Sequence, residues 1–466
     1  MTISANAGDQ TGTSGNSSSI ASEMYASTMR NGPGRGMKLV ILGGGGFRVP
    51  LVYRALLADR SPGRITEVVL HDIDASRLAA VGGVLAELAT DISDAPTVTT
   101  STDLDEALRG ADFVFSAIRV GGLAGRAADE SVASGSGVLG QETVGAGGVT
   151  YGLRTVPVAL DIARRISVHA PDAWVINFTN PAGMVTEAMS AHLGNRVIGI
   201  CDSPVGLGRR VARAVGVHLE DAWLDYAGLN HLGWLRGFHV RGRDVLPDLL
   251  ADTDRLESFE EGKLFGAEWL RTLGAIPNEY LHYYYFTREA VESGASRGAF
   301  LLEQQKRFYA APSFESWDRT RLEREQTYMA ETRDDERDAD DLDGGGYEQV
   351  ALDLMHAIAS DNRATLILNV PNRTTLSCLD ADAVVEVPSL VDANGARPLA
   401  VSQVPDEGVG LVTSLKVVER ATIRAAISGE RAHAVKALAL HPLVDSVNVA
   451  RKIVEAHPFL SEAFRA

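Results

Sequence analysis

Six short, continuously apolar runs, spaced by segments long enough to be helices, constrain this chain more than any other feature. They fall at Lys38–Leu42, Glu67–Leu70, Thr97–Thr100, Asp112–Ala117, Ala173–Phe178 and Arg196–Ile200. Apolarity that does not alternate suits strands covered on both faces, as in a parallel sheet. Helical patterns at Val49–Ala58, Ala75–Ala89, Leu104–Arg109 and Tyr151–Ala170 separate several of the runs. Repeated strand–helix–strand units predict an α/β fold, a doubly wound parallel sheet of Rossmann type over residues 37–203. Residues 204–466 read as a mixed α/β substrate, metal-binding and oligomerisation domain. There, amphipathic stretches near 245–275, 299–330 and 345–360 predict helices, and an extended block near 364–405 predicts strands. A C-terminal helical stretch follows from about Ser414, which is read as its N-cap.

The remaining segments carry less. Residues 1–36 are rich in Ser, Gly, Asn and Thr and lack the basic and apolar regions of a secretory signal, so a disordered leader is expected. The acidic run Asp334–Asp343 with Gly344–Gly346 reads as a solvated loop, because its spacing does not match a calcium loop. Two cysteines, Cys201 and Cys378, cannot form a disulfide framework, and a reducing, cytoplasmic location is expected. A formal net charge of −17 repels nucleic acid and anionic membrane, which leaves both as poor partners. An anionic substrate would need a locally basic pocket.

The first strand runs into Gly43-Gly44-Gly45-Gly46-Phe47-Arg48-Val49-Pro50. Such a turn lets the backbone approach a pyrophosphate at a helix N-terminus, although Arg48 or Val49 stands where a third fingerprint glycine would be. The second run ends at His71-Asp72-Ile73-Asp74. A carboxylate at Asp72 can accept from an adenosine ribose and repels a 2′-phosphate, favouring NAD over NADP; Asp74 suits the cap of the next helix. Four later segments gather polar and glycine residues: Ile118–Gly122 with Arg126–Glu130, then Gly140–Gly148, Asn177–Gly183 and Cys201–Pro204. Three of them directly follow predicted strands, and strand carboxyl ends form the ligand crevice of an open α/β sheet. Cys201 and His231 offer a soft thiolate and an imidazole that could hold Mn²⁺ or a similar ion, with core packing as the alternative. The aromatic run Tyr280–Phe286 reads as packing unless context says otherwise.

GQETVGAGG, NFTNPAG, a Cys-x-x-Pro element, GLNHL and a YLxYY element, in this order, resemble the NAD- and metal-dependent family-4 glycoside hydrolases, relatives of malate and lactate dehydrogenases. The resemblance covers residues from about Met37 to the C-terminal helices. It implies a hydrolase in which NAD takes hydride from C3 of the sugar, a base removes the acidified C2 hydrogen, the aglycone is eliminated, water adds and C3 is reduced again. A divalent metal, Mn²⁺ or another, would act as Lewis acid on the C2 and C3 oxygens. Carried over, Cys201 and His231 are the metal ligands, Tyr280 the base, Glu142 a carboxylate raising its basicity, and Asp202 the general acid. Arg126, Asn180 and Arg297 are substrate-binding positions, the arginines suited to a phosphate. Gly43, Gly44, Gly45, Gly46, Phe47, Asp72 and Arg119 are the cofactor side.

The element after Cys201 implies 6-phosphorylated rather than free glucosides. Asp202 is typical of α-specific members, whereas Ala437–Val444 and Gly344–Tyr347 look more like the β-specific branch, and the β assignment is favoured. The expected partner is a phosphorylated disaccharide or aryl glycoside, and the expected assembly a homodimer or homotetramer. A 6-phospho-α-glucosidase is the alternative within the family. Outside it stand a 2-hydroxy-acid dehydrogenase and a non-catalytic NAD-binding regulator.

Overall fold

The run Met37–Leu42 is apolar throughout because it is buried on both sides. Leu39 and Ile41 face one layer of helices, and Val40 and Leu42 face the other. The computed structural model describes residues 36–294, 297–327 and 346–464, so the expected leader (except Gly36), the acidic run Asp334–Asp343 and Gly344–Gly345 lie outside the described residues. Strands β1 (Met37–Leu42), β2 (Ile65–His71), β3 (Thr97–Ser101), β4 (Phe113–Ser116), β5 (Trp174–Asn177) and β6 (Val197–Gly199) pair in parallel. Their order is β3-β2-β1-β4-β5-β6, the doubly wound arrangement, and it reverses between β1 and β4.

Helices α1 (Val49–Ala58), α2 (Ala75–Leu88), α3 (Leu104–Leu108), α4 (Gly122–Ser134), α5 (Gly145–His169), α6 (Ala182–Leu193) and α7 (Ser203–Val215) connect or follow these strands. Helix α1 carries Pro50 in its first turn, where the missing N–H costs nothing. Asp74 caps α2 by accepting from the Ser76 and Arg77 amides. Helix α5 starts six residues before its expected Tyr151. The Gln141 side chain accepts from the Thr143 and Val144 amides at 2.6 and 2.7 Å and so stabilises a start that the glycine run obscured.

The sheet continues past β6 with antiparallel strands. They are β7 (Ala222–Leu229), β8 (Leu232–Val240), β9 (Arg243–Asp244), β10 (Ile276–Pro277), β11 (Ala364–Pro371), β12 (Val384–Asp392) and β13 (Gly395–Pro398). β11 joins β6, and β12, β7, β8 and β10 follow outward. Residues 37–466 form one compact unit. After β6 the strands change from parallel to antiparallel within that unit.

Three helix expectations are corrected. Residues 245–275 form four short helices, Leu246–Ala251, Thr253–Leu256, Glu260–Phe265 and Ala267–Leu273, because Asp252 caps a new start and Gly266 takes φ 77°. Residues 299–330 divide into α12 (Arg297–Ala310) and α13 (Phe314–Gln326), counting those four short helices as α8–α11. A Ser313–Ser316 capping box begins the second. The C-terminal stretch begins with the helix Asp406–Ser428, so Ser414 lies inside it. Two acidic residues, Asp406 and Glu407, occupy the first turn, where the helix dipole favours them. Among the described residues no helix is long and apolar enough to cross a membrane.

The C-terminal helices bury His441, whose Nδ1 accepts from the Leu443 amide at 3.1 Å. Burial pushes its pKa down to about 3, against an ordinary ~6.5. Between those values the unfolded ring binds a proton that the folded ring refuses, so stability falls as pH drops from about 6.5 towards 3. This group alone contributes a slope of ~1.4 kcal/mol per pH unit. His441→Gln is expected to remove that slope from urea-unfolding free energies compared at neutral and mildly acidic pH. An unchanged slope would contradict the assignment.

Candidate active site

The carboxyl ends of β1, β2, β4, β5 and β6 open into a cavity of about 590 Å³. Its wall includes Gly43, Gly46, Phe47, Asp72, Arg119, Arg126, Glu142, Asn180, Cys201, Asp202, His231, Tyr280 and Arg297. The expected site residues therefore converge, although they span the chain. Gly44 and Gly45 lie just behind the wall.

The glycine turn is built for close approach. A Cβ on Gly43 (φ 80°) would stand 2.7 Å from the Ala117 carbonyl oxygen, and one on Gly44 would stand 2.6 Å from Leu70 Cβ. The turn also consumes its own donors. The Gly43 and Gly44 amides donate to the His71 carbonyl, Gly45 to Asp72 Oδ2 and Gly46 to the Gly43 carbonyl. The next amides, Phe47 and Arg48, stand at the start of α1 and are not used by the turn. The Phe47 ring faces the core, edge-on to Phe308 at 5.3 Å, so its side chain packs the turn from behind. Asp72 is held by the Gly45 and Asp74 amides, both at 3.1 Å, which sets its carboxylate at the cavity edge. A tight backbone cradle with a fixed carboxylate beside it fits an adenine dinucleotide.

The Gln141-Glu142-Thr143 triplet divides its work. Gln141 holds the turn that leads into α5, accepting from the Thr143 and Val144 amides. Glu142 pairs with Arg119 and, at 2.5 Å, with Arg126, and these guanidiniums hold its carboxyl far below the usual range despite burial. Thr143 Oγ1 lies 2.9 Å from His231 Nδ1. His231 sits in the two-residue turn between β7 and β8 at φ 60°, and its ring stacks on Tyr280 at 3.8 Å, only 6° from parallel. Burial pushes its pKa down to about 4, which keeps the imidazole neutral near pH 7. Tyr280 is placed by its own amide, which donates to Asn278 Oδ1 at 3.0 Å.

Cys201 follows β6 and is buried, and burial together with Glu386, Asp202 and Glu279 pushes its thiol well above the usual range. A thiol among carboxylates creates a site of negative potential that a cation relieves. On the wall of the same cavity, Asn180 Oδ1 is buried with no hydrogen-bond partner. A soft sulfur, a neutral imidazole and an unsatisfied carbonyl oxygen on one wall fit a divalent ion of the Mn²⁺–Zn²⁺ range. Among the described residues no group of three His, Cys, Asp or Glu side chains gathers as a ligand set. Beside Cys201, Glu386 accepts from Asn369, Asn230 and Tyr226, tying the β7–β8 turn to β11 and β12; burial raises it to about 7.

Three cavity residues, Arg48, Tyr347 and Arg324, had no role assigned from the sequence. Arg48, noticed only as a departure from the glycine fingerprint, lies 3.8 Å from both Asp202 and Glu325 and over the ring of Tyr347 at 5.2 Å. Tyr347 stacks on Phe178 at 4.3 Å. Arg324 is pushed well below its ordinary pKa by burial and by the guanidiniums of Arg48, Arg297 and Arg126. That crowding of cations is the basic pocket which the overall charge of −17 made necessary for an anionic ligand. Nothing local marks Arg324, which belongs to a helix with a polar exterior. Asp202 does not cap α7 with its side chain; it faces the cavity beside Arg48.

A family model described as Family 4 glycosyl hydrolase matches residues 38–217, and one described as Family 4 glycosyl hydrolase C-terminal domain matches residues 226–444. The probable 6-phospho-beta-glucosidase of Bacillus subtilis is 31% identical over 436 residues, covering 90% of this chain and 95% of the relative. The maltose-6′-phosphate glucosidase of the same organism is 32% identical over 444 residues, with 90% and 95% covered. The structure of the 6-phospho-beta glucosidase from Thermotoga maritima with manganese, NAD⁺ and glucose-6-phosphate superposes with a TM-score of 0.78 at 26% identity. It covers 92% of this chain and 99% of that one.

Proposed function

The chain belongs to glycosyl hydrolase family 4, and on that premise we propose that it hydrolyses 6-phosphorylated β-glucosides, either disaccharides or aryl glycosides. The observation that carries this reading is the convergence of Cys201, His231, Tyr280, Glu142, Asn180, Arg126 and Arg297 on one strand-end cavity. When bound, NAD supplies a reversible hydride acceptor for C3 of the sugar, and Mn²⁺ supplies Lewis acidity to the C2 and C3 oxygens.

The chain's own groups do the rest. Cys201 Sγ and His231 would hold the ion, with Thr143 orienting the imidazole. Tyr280, as a phenolate favoured by the cation held at Cys201 and His231, would take the proton from C2, with its ring held flat against His231. Asn180 Oδ1, which lacks a donor, would accept from a sugar hydroxyl. Arg126 and Arg297 would grip the phosphate, and the neighbouring Arg324 adds to their field. Glu142 keeps Arg119 and Arg126 in place by pairing with both. The glycine turn and Asp72 would seat the nucleotide, with Asp72 disfavouring a 2′-phosphate. Asp202 faces the cavity where a departing oxygen would need a proton, and it would act there as the acid.

The β anomer is preferred because Ala437–Val444 resembles the β-specific branch. Asp202 after the metal cysteine favours the second reading, a 6-phospho-α-glucosidase by the same chemistry. Release of p-nitrophenol from the α and β forms of the 6-phosphorylated glucoside, side by side, tests the proposal. Activity is expected on the phospho-β-glucoside and not on the unphosphorylated β-glucoside. It should be lost when either NAD or Mn²⁺ is omitted. Activity on the α form alone would reverse the anomeric choice. A lasting build-up of reduced cofactor would point to a dehydrogenase, and silence on all substrates would overturn the hydrolase reading.

A further inference from the structure

Helix α4 carries Arg126, and helix α12 opens with Arg297, 171 positions further along the chain. Nothing in the sequence links the two. In the fold, one carboxylate does. Glu130 is buried and its two oxygens point in different directions: Oε1 accepts from Arg126 Nε at 2.7 Å, and Oε2 accepts from the Gly298 amide at 2.6 Å. The first partner is one turn back on its own helix. The second is the opening turn of α12, where unsatisfied N–H groups and the helix dipole both favour a negative charge.

The two helices touch where this happens. A Cβ on Gly298 would stand 2.9 Å from Glu130 Oε2 and 3.1 Å from Ala127 Cα, so any side chain here would crowd α12 against α4. Arg126 is then fixed from two sides, by Glu130 at Nε and by Glu142 at Nη1. Arg297 is steadied at its other end, where Nη2 donates to the Arg324 carbonyl at 2.5 Å.

We propose that Glu130 is a positioning residue that sets the separation of the Arg126 and Arg297 guanidiniums, so that the two act as one clamp on the substrate's phosphate. The inference rests on the assignment of both arginines to the phosphate. Fixing two long side chains before binding removes a cost that would otherwise fall on the substrate complex. A small displacement of either guanidinium would be felt as lost affinity.

Glu130→Gln keeps the volume but replaces one acceptor oxygen with a donor, which must then face either Arg126 Nε or the Gly298 amide. KM for the phosphorylated glucoside is expected to rise roughly tenfold or more, by a larger factor than kcat falls. The preference for phosphorylated over free glucoside should shrink by a similar factor, with NAD affinity unchanged. Glu130→Asp keeps the charge but cannot reach both partners, so a smaller rise is expected. Gly298→Ala, which forces the helices apart from the other side, should raise KM in the same way.

Amide exchange of the segment 297–310 provides an arm that needs no activity. The first turn of α12 should exchange faster in folded Glu130→Gln than in wild type. If wild type fails on phosphorylated glucosides, the functional reading falls, and exchange together with inorganic phosphate binding still tests the positioning role. A folded Glu130→Gln protein with unchanged exchange, KM and phosphate preference would overturn the inference.

Discussion

Cys201→Ser is expected to lower metal-dependent turnover of the phosphorylated glucoside by roughly a thousandfold, the scale of several kcal/mol of Lewis-acid stabilisation. NAD affinity should be unchanged. Serine is nearly isosteric, so the close packing after β6 survives, but a hydroxyl replaces the soft sulfur that prefers this class of ion. The buried sulfur lies in the negative potential of Glu386, Asp202 and Glu279 and is 4.0 Å from Asp202 Oδ1. The nucleotide cradle of Gly43–Gly46 and Asp72 is built from β1 and β2 and does not depend on it. Two titrations check the expectation, one of Mn²⁺ and one of NAD, each on wild type and variant alongside kcat. Turnover within tenfold of wild type, still abolished by chelation, would show that the metal is held elsewhere.

Tyr280→Phe is expected to reduce kcat by roughly 10²–10⁴, the usual contribution of a positioned proton acceptor, with KM and NAD affinity changed much less. The ring is fixed by stacking on His231 and by the Asn278 cap on its backbone, neither of which involves the phenolic oxygen. Phenylalanine should therefore keep the same position and lose only the group that accepts the proton. Exchange of the sugar's C2 hydrogen with deuterium from solvent is the sharper readout and should disappear together with turnover. A variant that still exchanges this hydrogen at the wild-type rate would remove Tyr280 from the role of base.

Much of the site was legible because its motifs are local. A glycine turn after a buried strand, a carboxylate at the end of the next strand, and NFTNPAG and GQET at later positions each announce a backbone that does something unusual. The triplet Gln141-Glu142-Thr143 was readable as a motif. The pairing of Glu142 with two arginines and the support that Thr143 gives a histidine were not, because those partners lie up to 88 positions away. Phe47 lines the cavity while its ring also packs edge-on against Phe308, a contact that its place in the turn did not announce.

Sequence by itself determined the doubly wound half of the fold. Strand burial on both faces, helix spacing and turn chemistry are written within a few residues of one another and need no partner to be read. Local caps and turns broke residues 245–275 into four helices against a continuous amphipathic pattern. Tertiary structure alone decided two things. It extended the sheet past β6 with antiparallel strands drawn from both sides of the helical region. And it brought Arg48 and Arg324 beside Arg126 and Arg297, and set Glu130 between α4 and α12. Each is a question of which distant groups share one buried space. Charge crowding and carboxylate bridging are properties of that space, and they exist only once the chain has folded.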